Sequence, residues 1–439
     1  MTRRWQLVAN WEALDEGSAE ERSCFAALGI EAGGVWLTEG RDALANRLRR
    51  APLLSAYHLA EWFAWNWWRL RWEPRAASED WEFAHKIVNI GGGYIWPNIT
   101  IFSDGERTAL VTRSSRARTD TPFRYITDFS AIISSADFEV EVDNFVAQVL
   151  ERLEASGVTG SNLSRLWTDV STERSNPELA RIRKLEALMG RQPDELSDEA
   201  VSALVADSNR FGESAINELA ADRGQAQKSS VLAASELLTA ASNFGFTARP
   251  ADGVRLADPA GGNANRSQTA AWRLGASVAK SLRDQERLGE GEIGNDRLAD
   301  LIAVDKRAVA ANETSGLGVS FLVNGENDEG RVVLRSRWES GRRFELARLL
   351  GDELMYPGGK LFPATRANTY RQKAQRSFAA ELLSPFAVVF NMLQGDFSQE
   401  QQLDVAEHFG VSEITIRTQL MNHNLLEREN IEFDLSAAA

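Results

Sequence analysis

The sequence predicts an α+β chain that is multidomain and mostly helical. Three observations carry this reading. With 439 residues the chain exceeds the roughly 250 to 300 at which one core stops growing, so two or more cores are expected. Ten of its thirteen tryptophans lie in the first hundred residues, a composition shift that sets an N-terminal domain apart. Beyond that domain most apolar residues recur at helical spacing, and only short stretches alternate as strands do.

The elements follow in order. In the Trp-rich α+β N-terminal domain, placed at residues 1–156, WQLVANW and VWLTEG alternate like strands. NITIFSDGERTALVTR reads as a hairpin turning at Asp104-Gly105, and FRYITDFSAIIS as one further strand. Helices are expected over Leu53 to Trp72 and Asp143 to Glu154, where apolar residues keep a helical period. Residues 157–248 are rich in Ala, Leu and Glu, with Pro177 and Pro193 where helices begin or break, and predict a helical middle domain. Gly, Pro, Asn and Asp concentrate at 249–268, a linker. Residues 269–439 then give a helix over Thr269 to Gln285, a second at NDRLADLIAV, and strands GVSFLV and RVVLRS joined by the turn NGENDEG.

Composition narrows the function classes. The formal charge of −14 creates a field that repels nucleic acid and anionic membrane, although a local basic patch can survive inside an acidic protein. Nucleic acid is thus the weaker partner class, and a protein or peptide the stronger. No run has the eighteen or more apolar residues of a membrane span, and the opening MTRRWQLVANWEALDEG lacks the apolar core of a secretion signal, so a cytoplasmic protein with no membrane partner is expected. Cys24 is the only cysteine, which rules out an intrachain disulfide and a thiolate zinc cluster; a buried structural thiol is the simpler reading than a reactive one. The four histidines, His58, His85, His408 and His423, lie far apart, and no pair has the spacing of helical metal ligands.

The two C-terminal strands run into RRFELARLLGDELM, residues 342–355, in which Phe344, Leu346, Ala347, Leu349, Leu350 and Leu354 mark a buried helix. Strand, strand and helix followed by F-x-L-A-x-x-x-G-x resembles the ImmA/IrrE family of metallopeptidases, whose helix carries F-x-L-A-H-E-x-G-H. Phe344, Leu346, Ala347 and Gly351 occupy that frame. The positions the resemblance assigns to the first ligand histidine, the catalytic glutamate and the second ligand histidine hold Arg348, Leu349 and Asp352. Farther on, QKAQRSFAAELLSP resembles the family's second helix, E-A-N-x-F-A-A-x-L-L-x-P, matching at Phe378, Ala379, Ala380, Leu382, Leu383 and Pro385. The third, glutamate ligand expected about one turn before the phenylalanine is missing, since Gln372 to Arg376 contain no carboxylate; Glu381 lies inside the core of the motif and takes no ligand role.

A zinc peptidase needs two imidazoles at i and i+4 and a carboxylate that accepts a proton from the metal-bound water. A guanidinium has five donors and no lone pair for a metal, and leucine removes the base. Zinc is therefore expected to be absent although the family carries it, no other cofactor is indicated, and no catalytic residue is assigned. Arg348 and Asp352 share one helix face, so an ion pair between them is expected in the volume the ion would take.

Three other features invite a role. QLDVAEHFGVSEITIRTQLMN has Ala406, Gly410, Val411 and Ile416 at helix-turn-helix spacing, with Val405, Phe409, Ile416 and Leu420 to bury between two helices. From Phe397 to Ala439, however, eight carboxylates face two arginines, which suits packing or protein contact better than phosphate neutralisation. HLAEWFAWNWWRLRW sets Trp62, Trp65, Trp68 and Trp72 along one side as core and leaves Trp67 off that stripe as the candidate partner contact. Gly91-Gly92-Gly93 has no following Lys-Ser or Lys-Thr, so it reads as a turn and not a nucleotide loop.

The resulting expectation is a non-catalytic, zincin-like pseudo-metallopeptidase: a regulatory or protein-interaction factor. The resemblance implies settings such as phage or mobile-element control, stress response or toxin-antitoxin modules. The alternatives are an active metallopeptidase with unrecognised ligands and a transcription regulator using the helix-turn-helix.

Overall fold

A computed structural model describes residues 5–115, 121–225, 231–257, 266–325 and 329–427. It is an α+β fold, 51 % helical, with several small antiparallel sheets, and so mostly helical as the periodicities suggest. The chain forms two compact units, Met1–Leu196 and Ser197–Ala439. The division falls inside the stretch expected as a helical middle domain, whose first helices join the N-terminal unit and whose later ones join the C-terminal unit. Part of the expected linker and the tip of the NGENDEG turn lie outside the described residues.

In the first unit the order is β1 (Trp5–Trp11), α1 (Ala19–Ser23), β2 (Phe25–Ala32), β3 (Val35–Trp36), β4 (Gly40–Asp42), β5 (Arg47–Arg49) and β6 (Leu53–Ser55). Then come α2 (Ala56–Trp72), α3 (Glu79–His85), β7 (Asn98–Ser103), β8 (Arg107–Arg113), β9 (Phe123–Tyr125), β10 (Phe129–Ser134), α4 (Ser135–Ala155), α5 (Asn162–Ser175) and α6 (Pro177–Leu188). Three antiparallel sheets result: β1-β2-β3 with β6 also on β2, β10-β8-β7, and β5-β4-β9. Pairing Leu7 with Ile30 and Ala9 with Leu28 puts the apolar set of both strands on one face, as a period of two requires. The stretch FRYITDFSAIIS is two strands in different sheets, not one. The chain changes sheet at Thr127, whose hydroxyl donates to Trp36 O at 3.0 Å, and Asp128, whose carboxylate accepts the Ser114 N–H at 3.1 Å.

Helix α2 is the hub of this unit. Ser55 caps it, and α3, α4, α5, α6 and strands β2 and β7 all pack on it. A helix apolar around most of its girth is stable only when enclosed. Its enclosure demands solutions for the polar groups it carries. Arg69 donates to the Glu73 carboxylate at 2.7 and 3.3 Å. The same carboxylate accepts from His85 Nε2 at 2.9 Å, while His85 Nδ1 meets Ile101 O at 2.6 Å and Trp81 stacks on the imidazole at 4.3 Å. Both ring nitrogens thus face oxygens that only accept.

The second unit continues with α7 (Asp198–Phe211), α8 (Glu213–Gln225), α9 (Ala234–Phe244), β11 (Phe246–Ala248), α10 (Ala271–Gln285), α11 (Asn295–Leu301) and α12 (Arg307–Ala310). It ends with β12 (Ser320–Asn324), β13 (Gly330–Val333), α13 (Glu339–Met355), β14 (Leu361–Ala364), α14 (Tyr370–Leu383), α15 (Phe386–Leu393), α16 (Gln399–Phe409) and α17 (Glu413–Asn422). One antiparallel sheet, β11-β13-β12-β14, supports α13, and α14 lies between α10 and α13. No described helix is long and apolar enough to cross a membrane.

Burial works against ionisation of Glu73, but the bonds from His85 and Arg69 outweigh it and hold the carboxyl below its usual range. Its stabilising contribution is therefore complete above the unfolded value of 4.5 and disappears as pH falls through the lower folded value. Glu73→Gln is expected to destabilise the first unit by about 3 kcal/mol, because it strands two buried donors. Denaturant unfolding followed by tryptophan fluorescence measures this, and the variant's acid limb should be flatter than the parent's.

Candidate functional site

The C-terminal motif residues converge where α13 faces α14. The hairpin β12-β13 delivers the chain to α13, and β14 leads to Thr369, whose hydroxyl caps α14 through the Gln372 N–H. The helices approach closely because glycines remove side chains at their crossings. A Cβ on Gly351 would stand 2.4 Å from the Phe378 ring, and one on Gly275 of α10 only 2.2 Å from Ala374 O. Leu346, Ala347, Leu349, Leu350 and Phe378 form a dry shell around this contact.

Inside the shell the polar residues pair across helices. Arg348, 4 % exposed, donates from Nη2 to Thr365 O at 2.6 Å, Gln372 Oε1 at 2.5 Å and Gln375 Oε1 at 3.3 Å. Among the described residues its buried Nε has no hydrogen-bond partner. Gln372 is locked in turn: its oxygen accepts the Thr365 N–H at 2.9 Å, and its amide donates to Pro363 O at 2.9 Å. Asp352, fully buried, takes both forks of Arg371 at 2.7 and 2.6 Å. Arg371 also donates to Ser214 at 2.8 Å, and Glu218 accepts the Thr369 hydroxyl at 2.5 Å, so α8 is tied to the same cluster. Leu349 is enclosed in the apolar core.

The expected Arg348–Asp352 ion pair does not form. Each residue has a better partner on α14: a planar fork fits the Asp352 carboxylate bidentately, and the long Arg348 side chain reaches past it to carbonyl oxygens.

The electrostatics follow from this division. Burial, and then the nearby Arg376, pushes Arg348 down to about 9, and burial pushes Arg376 down to about 10, so both stay cationic at neutral pH. Burial also opposes the charge of Arg371, but the Asp352 carboxylate outweighs it and raises the group above its ordinary value. Desolvation raises Glu218 and carries Glu353 up to about 7. The residues present do not fit a zinc ion: Arg348 offers no lone pair, both Asp352 oxygens are engaged, and the two glutamine oxygens point at a cation already in place. Among the described residues no group of three or more His, Cys, Asp or Glu side chains is placed to hold a metal.

The remaining candidates separate cleanly. Trp67, expected as a partner contact, is only 3 % exposed; it packs edge-on against Trp68, and the Arg174 guanidinium lies 4.4 Å above its ring. Because α2 is enclosed on most sides, its wet strip is narrow and runs through His58, Glu61 and Trp65, the last 56 % exposed and on the stripe read as core. Cys24 is fully buried, and desolvation pushes its thiol up to about 12. Gly91, Gly92 and Gly93 form a turn with positive φ at each residue. Helices α16 and α17 meet through a left-handed Gly410 and bury Val405, Phe409, Ile416 and Leu420 in the core of the second unit. Glu381 accepts the Phe386 N–H at 3.3 Å, a structural task.

Arg371, Gln372 and Gln375 were not singled out by sequence. Their signal was the polar run YRQKAQR opening a helix whose other residues demand burial. No family model, curated protein or solved structure matches this chain.

Asp352→Ala leaves Arg371 buried without its anion and is expected to cost about 3 to 5 kcal/mol. In double-mutant cycles Asp352 should couple more strongly to Arg371 than to Arg348. The opposite ranking would restore the ion pair along α13.

Proposed function

We propose that this chain is a non-catalytic, metallopeptidase-like regulatory factor that works by holding a protein or peptide partner. The observation that carries the reading is the Arg348 guanidinium reaching Gln372 and Gln375. In the resembled ImmA/IrrE frame, the first ligand position on one helix and the stretch expected to supply the third ligand on the next share a metal. Here the same two places share a hydrogen-bonded cation. Leu349, at the position of the general base, has no lone pair with which to take a proton.

A site filled this way supplies neither the nucleophile generation nor the carbonyl polarisation that the metal of the resembled family provides. What such a scaffold retains is its surface, and regulation through association is the function left to it. The resemblance implies settings such as phage or mobile-element control, stress response or toxin-antitoxin systems, and the lack of a long apolar run in the sequence supports a cytoplasmic location.

Metal analysis of the purified chain after incubation with zinc tests the reading. Far less than one equivalent should remain after desalting, and protease assays should give no chelator-sensitive activity. Near-stoichiometric zinc accompanied by proteolysis that a chelator abolishes would overturn it.

A further inference from the structure

The small sheet β5-β4-β9 carries a surface that none of the preceding roles uses. Its register places Leu48, Arg41 and Arg124 in one row across the three strands, all on one face. The opposite face is turned inward: the Phe123 ring closes over Gly40, where a Cβ would meet it at 2.3 Å, and buried Tyr125 donates its hydroxyl to Ile95 O at 2.7 Å. The outward row has two arginines directly opposite each other, an arrangement that is repulsive in isolation. Among the described residues neither has a carboxylate partner; Arg41 reaches only Asn46 Oδ1, at 3.5 Å.

Aliphatic side chains are set among these cations. Leu44, at the hairpin tip, is 87 % exposed, Leu48 is 62 % exposed and Ile126, beside Arg124, is 46 % exposed. The tip is built, because the Asp42 carboxylate accepts the Ala45 N–H at 2.9 Å and pairs with Arg49 at 2.8 Å. Arg47 is exposed next to it.

We infer that this hairpin is a docking element for an anionic membrane surface. Arginine and exposed aliphatic groups together are explained by a bilayer interface, where the aliphatics enter the headgroup boundary and the guanidinium groups stay among lipid phosphates. A nucleic acid would neutralise the arginines but would set the aliphatics against phosphate and sugar, and the row Leu48, Arg41 and Arg124 has no aromatic ring to offer bases. The overall charge of −14 opposes approach, yet it is screened beyond roughly 8 Å at physiological salt, so the local patch decides contact.

The test is co-sedimentation of the full chain with vesicles of phosphatidylcholine alone and of phosphatidylcholine mixed equally with phosphatidylglycerol. Binding is expected to the anionic vesicles, weakening with added salt. Arg41→Gln with Arg124→Gln should raise the lipid needed for half-binding about 30-fold, and the Arg41→Lys, Arg124→Lys pair should restore most of it. Leu44→Ser with Leu48→Ser should weaken binding about tenfold or more while the salt dependence persists. Equal partition into both vesicle types, no binding to either, or a leucine variant indistinguishable from the parent overturns the inference. So does duplex DNA binding that the glutamine pair abolishes without any vesicle binding. Arg41, Leu44 and Leu48 are exposed and Arg124 is half-buried, and an unchanged near-ultraviolet circular dichroism spectrum verifies the fold of each variant.

Discussion

A guanidinium held away from water is the constraint around which the C-terminal unit is arranged. Transferring such a cation from water costs several kcal/mol unless oxygens replace the lost hydration. Helix α13 faces this problem more than once. Arg342, with no exposed surface, donates to Ala308 O at 2.6 Å and to Glu313 O and Ser336 O at 3.0 Å. Arg343 reaches Ile293 O at 2.8 Å and the Glu292 carboxylate at 3.2 Å. Arg348 takes Thr365 O and two glutamines. Each solution recruits backbone from a different segment, so the arginines dictate where the loops before α13 and the strand after it must lie.

The first unit meets the same requirement with a carboxylate. Its central helix cannot enclose its tryptophans without also enclosing Arg69, and the answer is Glu73 one turn later, which in turn fixes His85 and through it Trp81 and Ile101. Among the described residues Arg348 has no carboxylate against it, and burial, then the nearby Arg376, pushes it down to about 9. The second unit uses both means, since its Arg371 is paired with the Asp352 carboxylate as Arg69 is with Glu73.

What the sequence made legible was periodicity. The helical character of α2 and the buried faces of α4, α10 and α13, the Asp104-Gly105 hairpin and the α16-α17 pair follow from spacing that a chain met for the first time displays. Partner choice was not legible. Arg348 and Asp352 stand i and i+4, which licenses a local pair, but nothing in that spacing says that Arg371, nineteen positions beyond Asp352, offers a better-shaped fork. Trp67 and Trp65 exchanged roles for a related reason: a helical wheel ranks faces, and when nearly every face is covered the rank of a face no longer predicts its exposure. The break of FRYITDFSAIIS into two sheets escaped because sheet membership depends on partners distant in sequence.

The α13 frame also separates two duties that a metal site fuses. Leu346, Ala347 and Gly351 govern how closely α13 meets its neighbours, and Gly351 in particular admits the Phe378 ring. Positions 348 and 352 govern only what fills the polar gap that this close approach leaves. Filling such a gap favours paired groups, because each buried unpaired donor or acceptor costs about 1 to 3 kcal/mol; among the described residues the Arg348 Nε is left as one such donor. Substituting a long cation at 348 therefore requires acceptors from α14 and β14, and an acid at 352 requires a fork. The glutamines and Arg371 are what the arginine and aspartate oblige the second helix to carry, so the polar residues of α13 and α14 form one interdependent set, while the apolar frame around them stands by itself.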